Sequence, residues 1–135
     1  MAEIEVAGLW EMGWSAPVTE SVLWEYAMRE FGISRLNMTP VSGIKKRWVF
    51  EYPSIEEILQ DRDGLTPVFV DENAQTELRD FVHPSNALYV FGKGTYSPFS
   101  KMAEGHKSVK IGTPIPGLMW PHQALVVVMY DRAKR

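Results

Sequence analysis

Hydrophobic residues along this chain recur at two periods, one of two residues and one of about 3.6, and the switching between them predicts the architecture. The stretch "EIEVAGL", Glu3 to Leu9, sets Ile4 and Val6 against charged neighbours and reads as a strand. "TESVLWEYAMREFG" follows, with Val22, Leu23, Tyr26, Ala27 and Phe31 on one broad stripe, Thr19 as cap, acidic Glu20 in the first turn and Gly32 as the C′ residue, so a helix is expected. "RLNMTPV", Arg35 to Val41, predicts a short strand that Pro40 confines to an end or an edge. "KKRWVFEY" alternates Trp48, Phe50 and Tyr52 with Val49 and Glu51, which suits a further strand or an aromatic loop.

The second half continues the alternation. Ser54 and Glu57 form a capping box ahead of Ile55, Ile58 and Leu59, predicting a helix that ends near Gly64. "TPVFVDEN" supplies a buried strand through Val68, Phe69 and Val70, and Leu78, Phe81 and Val82 suggest a short helix that Pro84 ends. "LYVFGKGTYSP" is an apolar strand breaking into a glycine turn. Behind it, Ser97 as cap, Pro98 at N1 and Gly105 at the far end frame another helix. "SVKI", Ser108 to Ile111, reads as a strand, and the loop "GTPIPGLMWPHQ" leads to "ALVVVMYDRAKR". Three valines there favour a strand by propensity. Pro121 at N1, the missing alternation and the basic end favour a helix, which is the reading adopted.

About five such alternations predict an α/β fold: a mostly parallel sheet with helices on both faces. Ligands of such sheets sit beyond the carboxyl ends of the strands, which points to the glycine turn and to the Gly112 to Trp120 loop. Length changes the picture only by bounding it. The 135 residues, 45% of them hydrophobic, suffice for a single domain over 1–135 with one closed core. With no cysteine, disulfides, zinc thiolates and cysteine nucleophiles are excluded, and a reducing compartment, the cytoplasm, is expected. No apolar run approaches the roughly 18 residues of a membrane span. The acidic start "MAEIEVAGLW" is unlike a secretion signal, so an untargeted protein without membrane partners is expected.

Charge and motifs narrow the chemistry. A net charge of −3 weighs against nonspecific nucleic-acid binding, although "KKRW" and "DRAKR" could form basic patches and also read as solvated surface. "GKGTYS" lacks the spacing of a P-loop and the third glycine of a dinucleotide fingerprint. Its Gly92 and Gly94 leave the backbone bare, for a ligand to approach or simply for a tight turn. His83, His106 and His122 show no metal-binding spacing, so no metal is expected. Asp61 and Asp63, like Asp71 and Glu72, could pair as carboxylates but read equally as surface charge. No GxSxG elbow is present. The five tryptophans could stack bases, but core or interface burial suits them better.

Taken in order, "LYVFGKG", a helix, and "VKIGTPIPGLMWPHQALVVVMYDR" resemble the C-terminal half of the SPOUT, or SpoU-like, α/β-knot RNA methyltransferases. The helix ending "EFGISR", the "SIEEIL" helix and "PVFVDEN" agree in outline with the first half. The resemblance implies a C-terminal trefoil knot, a rare exception to the rule against threading. It further implies S-adenosylmethionine as cofactor, a homodimer packed through the C-terminal helix, and RNA methylation on tRNA or rRNA, the ribose 2′-hydroxyl being one acceptor. Val70, Asp71, Gly92, Lys93, Gly94, Ile111, Thr113, Ile115, Leu118 and Met119 would then hold the cofactor. Arg29 and His122 are the candidate catalytic residues, and Lys93 would point outward toward phosphate. The chain departs from the family at positions that act on the ribose and bind RNA: Glu20 and Tyr26 stand for an Asn and an Arg, Lys93 for a Glu, and Leu118, Met119 and Trp120 for Ser-Leu-Asn. Two alternatives follow: a noncatalytic knotted dimer binding cofactor or a protein partner, and a small nucleotide-binding domain of flavodoxin-like topology.

Overall fold

A computed structural model describes residues 2–11, 16–92, 99–115, 117 and 119–135. Six parallel strands form one sheet: β1 (Ile4–Leu9), β2 (Leu36–Thr39), β3 (Val49–Glu51), β4 (Thr66–Val70), β5 (Ala87–Phe91) and β6 (Lys107–Val109). Their order is β3-β2-β1-β5-β4-β6. Beside β1 therefore stands β5, with Val6 opposite Tyr89, rather than β3 as a flavodoxin-like order requires. The flavodoxin-like alternative therefore does not hold.

Among the described residues four helices cover the sheet: α1 (Ala16–Arg29), α2 (Ile55–Asp61), α3 (Phe99–Met102) and α4 (Pro121–Lys134). Side chains alternate along each strand, so Val6, Leu36, Met38, Tyr89 and Phe91 meet Trp24 and Met28 of α1 and Leu125, Val128 and Met129 of α4. Ala7, Phe69, Leu88 and Val90 turn the other way, onto Ile55 and Ile58 of α2 and Phe99 of α3. Both faces are buried, as a parallel sheet demands.

Local signals placed most of these elements. Ser54 accepts the Glu57 amide at 3.3 Å at the start of α2. At the end of α1, Gly32 with φ 69° lets its own amide reach Arg29 and the Ile33 amide reach the Met28 carbonyl, a Schellman closure. The "KKRWVFEY" segment holds a short edge strand, β3, paired to β2. Two expectations fail. In α1 the buried stripe is Glu20, Ser21, Trp24, Ala27 and Met28, while Val22 and Tyr26 are exposed, because the largest ring, Trp24, claims the core and turns the helix. Thr19 consequently lies inside the helix, three residues past its start, and caps nothing. The segment at Leu78 forms only one 3₁₀ turn, Leu78–Asp80, and Val82 is exposed. The expected cap at Ser97 and Pro98 lies outside the described residues.

Candidate functional site at the carboxyl ends of β4, β5 and β6

β4 stands between β5, which follows it in sequence, and β6, which follows β5. The chain segments leaving β5 and β6 therefore depart on opposite sides of β4, and a crevice opens beyond its carboxyl end. A cavity of about 360 Å³ fills that crevice. Its walls come from Val70, Asp71 and Glu72 after β4, Phe91 and Gly92 at the end of β5, Lys110 to Thr113 after β6, and Met119, Pro121 and Ala124 at the start of α4. Glu77 closes one side, in a segment that adds itself to β6 by pairing with Lys110.

The floor is held rigidly. Asp71, only 4% exposed, donates its amide to Val109, and its carboxylate accepts the Asn73 amide and the Ser100 hydroxyl, each at 3.1 Å. The β4 exit is thereby tied to α3. Gly92 is explained by packing: a Cβ there would lie 2.8 Å from the Phe99 ring and 3.2 Å from Leu9. The first glycine of the turn thus admits α3 onto the sheet, and its bare backbone faces the cavity as a consequence. Across the cavity, the amides of Ile111, Gly112 and Thr113 donate to no other group among the described residues. Free main-chain donors beside apolar Val70, Ile111 and Met119 suit a ligand with a flat, hydrogen-bonding ring.

No protein-family model matches the sequence, and no curated protein matches it significantly. Solved structures do match. A protein assigned as an RNA methyltransferase from Bacillus anthracis superposes with a TM-score of 0.74 at 12% identity, over 97% of this chain and 92% of its own. A structure solved for 2′-OH methylation of C/U34 on tRNA gives 0.73 at 13% identity, over 99% and 91%. The SpoU methyltransferase AviRb from Streptomyces viridochromogenes, in complex with AdoMet, gives 0.72 at 11% identity, over 98% of this chain and 57% of its own. The fold is that of the SpoU-type RNA methyltransferases.

Of the residues that the SpoU resemblance singled out for a cofactor, Val70, Asp71, Gly92, Ile111, Thr113 and Met119 line the cavity. Ile115 does not: it is 67% exposed, and the Thr113 hydroxyl donates to its carbonyl at 3.1 Å. Lys93, Gly94 and Leu118 lie outside the described residues. Gly112 and Gly117 line the cavity too, within the Gly112 to Trp120 loop expected at the ligand edge, whereas sequence reasoning missed Lys110 and Glu77, the latter reaching the cavity through the pairing of its segment with Lys110. The sequence offers Glu72 only as one half of a carboxylate pair with Asp71.

The candidate catalytic residues do not converge. Arg29 ends α1 at the opposite, amino edge of the sheet, in a groove with Met28, Ile33, Arg47 and Trp48, and pairs with Glu25 at 3.8 Å. His122 follows Pro121 and precedes Ala124, both cavity residues, but its own ring is not in the lining. Its Nδ1 is buried without a hydrogen-bond partner among the described residues, and burial holds the imidazole below its ordinary value. The other two histidines serve packing. His106 stacks on Phe69, and His83 bridges the Tyr89 hydroxyl (2.8 Å) and the Asp131 carboxylate (2.7 Å). Arg132 adds bonds to Tyr89 and to the carbonyls of Pro84 and Ser85, so the far end of α4 is fastened to β5 and its approach. That anchorage fixes where the near end of α4 meets the cavity.

Where the family carries an Asn in the first helix, Glu20 is fully buried and its carboxylate accepts the Glu11 amide at 2.9 Å, a structural tie between β1 and α1. Tyr26 is 65% exposed.

Proposed function

We propose that this chain is an S-adenosylmethionine-dependent methyltransferase acting on RNA, tRNA or rRNA, with the cofactor in the cavity beyond β4. One observation carries the reading: separate segments around residues 71, 92 and 112 meet in one small-molecule-sized space, bounded by α4, in a SpoU-type fold. The residues present fit the cofactor. Ile111, Gly112 and Thr113 offer main-chain donors to a purine, Val70, Ile111 and Met119 offer apolar contact, and Gly92 leaves room against β5. The resemblance adds Lys93, Gly94 and Leu118, which lie outside the described residues, to the proposed set.

When bound, the cofactor supplies an electrophilic methyl on a sulfonium. The chain's part is to hold it in line with an acceptor oxygen and to exclude water, which rigid walls at Asp71 and Gly92 suit. His122, on the first turn of α4 between the cavity residues Pro121 and Ala124 and with its imidazole pKa lowered by burial, is the proposed proton acceptor, and Arg29 the proposed contact to RNA phosphate. We include in the proposal a trefoil knot in which α4 follows the 110–119 loop through the chain, and a homodimer. α1 and α4 pack together and each leaves apolar residues exposed, Val18, Val22 and Tyr26 on α1 and Val126, Val127 and Tyr130 on α4, which offer apolar surface to a second copy.

A second reading, a noncatalytic knotted dimer, draws support from Glu20, whose carboxylate is committed to backbone where the family uses a ribose-positioning side chain. Incubating the protein with methyl-labelled S-adenosylmethionine and total RNA tests the choice. The enzyme reading expects label in RNA and loss of transfer in His122→Gln; cofactor binding without label would favour the second reading.

A further inference from the structure

Three carboxylates, Asp71, Glu72 and Glu77, line the cavity against one ammonium, Lys110, among the described residues. Asp71 is spent on Asn73 and Ser100. Glu72 and Glu77 make no side-chain hydrogen bond or ion pair with any described residue. Both lie against bare main chain of the loop after β6. A Cβ on Gly112 would sit 3.0 Å from both Glu77 carboxylate oxygens, and one on Gly117, whose φ is +83°, would sit 3.0 Å from Glu72 Oε2. Side chains at those two positions would push the carboxylates out of the space they occupy. The two glycines thus set two uncommitted negative charges on opposite stretches of one loop, both facing the same cavity.

Such charges do little for a neutral ligand and favour a cationic one. S-adenosylmethionine carries a net charge of +1 near pH 7, because its ammonium and carboxylate cancel and the sulfonium remains. After transfer the sulfur keeps the electron pair of the broken S–C bond, the methyl has moved to the acceptor, and the thioether product is neutral. Resting on the methyl-donor reading, we propose that Glu72 and Glu77 are specificity residues that make the cavity hold the sulfonium donor more tightly than its thioether product, so that spent product yields its place. Lys110, unpaired with either but in the same lining, limits this preference by its opposite charge.

The test is calorimetric titration of the full chain with S-adenosylmethionine and, separately, S-adenosylhomocysteine, in wild type, Glu72→Gln, Glu77→Gln and Glu104→Gln, with melting temperatures recorded for each. Expected in wild type is tighter binding of the sulfonium, with the ratio of the two Kd values falling about three- to tenfold in Glu72→Gln and in Glu77→Gln. Glu104, which lies by a different groove, leaves the ratio unchanged when neutralised. Raising salt on wild type shrinks the ratio without any substitution, a readout that survives if a variant folds poorly. Equal wild-type affinities, or a ratio that neither substitution nor salt alters, overturn the charge discrimination while leaving the methyl-donor reading in place. Failure of wild type to bind either ligand overturns both.

Discussion

At Gly92 a single missing Cβ governs how α3 seats on the sheet. Gly92→Ala forces the Phe99 ring, 2.8 Å from the new carbon, out of its site and is expected to cost about 1–3 kcal/mol in chemical denaturation. Tyr89 presents a different case, a buried hydroxyl shared by His83 and Arg132. Tyr89→Phe keeps the ring but leaves both partners short of a bond, and a loss of about 1–3 kcal/mol is expected by the same measurement. Burial raises the Glu5 carboxyl, but hydrogen bonds from Arg62 and Asn37 and the charges of Arg62 and Arg35 outweigh it and hold the group below its ordinary 4.5. Its stabilisation is thus present above about pH 4.5 and is lost as pH falls through the lower folded value. His122 contributes with the opposite chemistry and the same sign: below its ordinary 6.5 the unfolded chain takes up a proton that the folded chain resists, so stability falls as pH drops through that window. Stability measured against pH in His122→Gln should lack the decline just below 6.5 and keep the one below 4.5.

Among the elements, those announced by local chemistry were the most legible. Ser54 with Glu57, Gly32, and Pro121 with the basic tail each mark a helix end, and α2, α1 and α4 end or begin there. What the periodicity could not supply was the rotation of α1. Val22 and Tyr26 satisfy the helical spacing as well as Trp24 and Met28 do, and only the sheet, which offers Gly8 and Phe91 to the Trp24 ring, decides between them. The mistaken stripe is nevertheless informative, because Val18, Val22 and Tyr26 recur at every fourth residue on a second apolar face. Tyr130→Asp on α4 and Val22→Asp on α1 place charge on that face without touching either core cluster. Each is expected to convert a dimer to a monomer in light scattering behind size exclusion, with little change in the unfolding of the monomer. A monomeric wild type would contradict the proposed interface.

For the whole molecule, the strand order could not be read from the chain, because every parallel α/β sheet writes the same alternation. Only pairing settles that β5 lies beside β1 and β6 beyond β4, and that order is what opens the crevice. The site was legible where it follows strand ends, at Val70, Asp71, Gly92 and Ile111, and illegible where a distant segment joins it, at Glu77. Arg29 shows the converse: residues on one helix look close in sequence, yet α1 carries Arg29 to the amino edge of the sheet, away from the cavity. Among the described residues no helix is long and apolar enough to cross a membrane. Hydrogen–deuterium exchange of the full chain with and without saturating S-adenosylmethionine tests the central claim most directly. The account predicts slowed exchange in the peptides containing residues 70–72, 91–92, 110–115 and the first turn of α4, together and at the same ligand concentration. Protection confined to the Arg29 and Arg47 groove, or none at any segment, would contradict it.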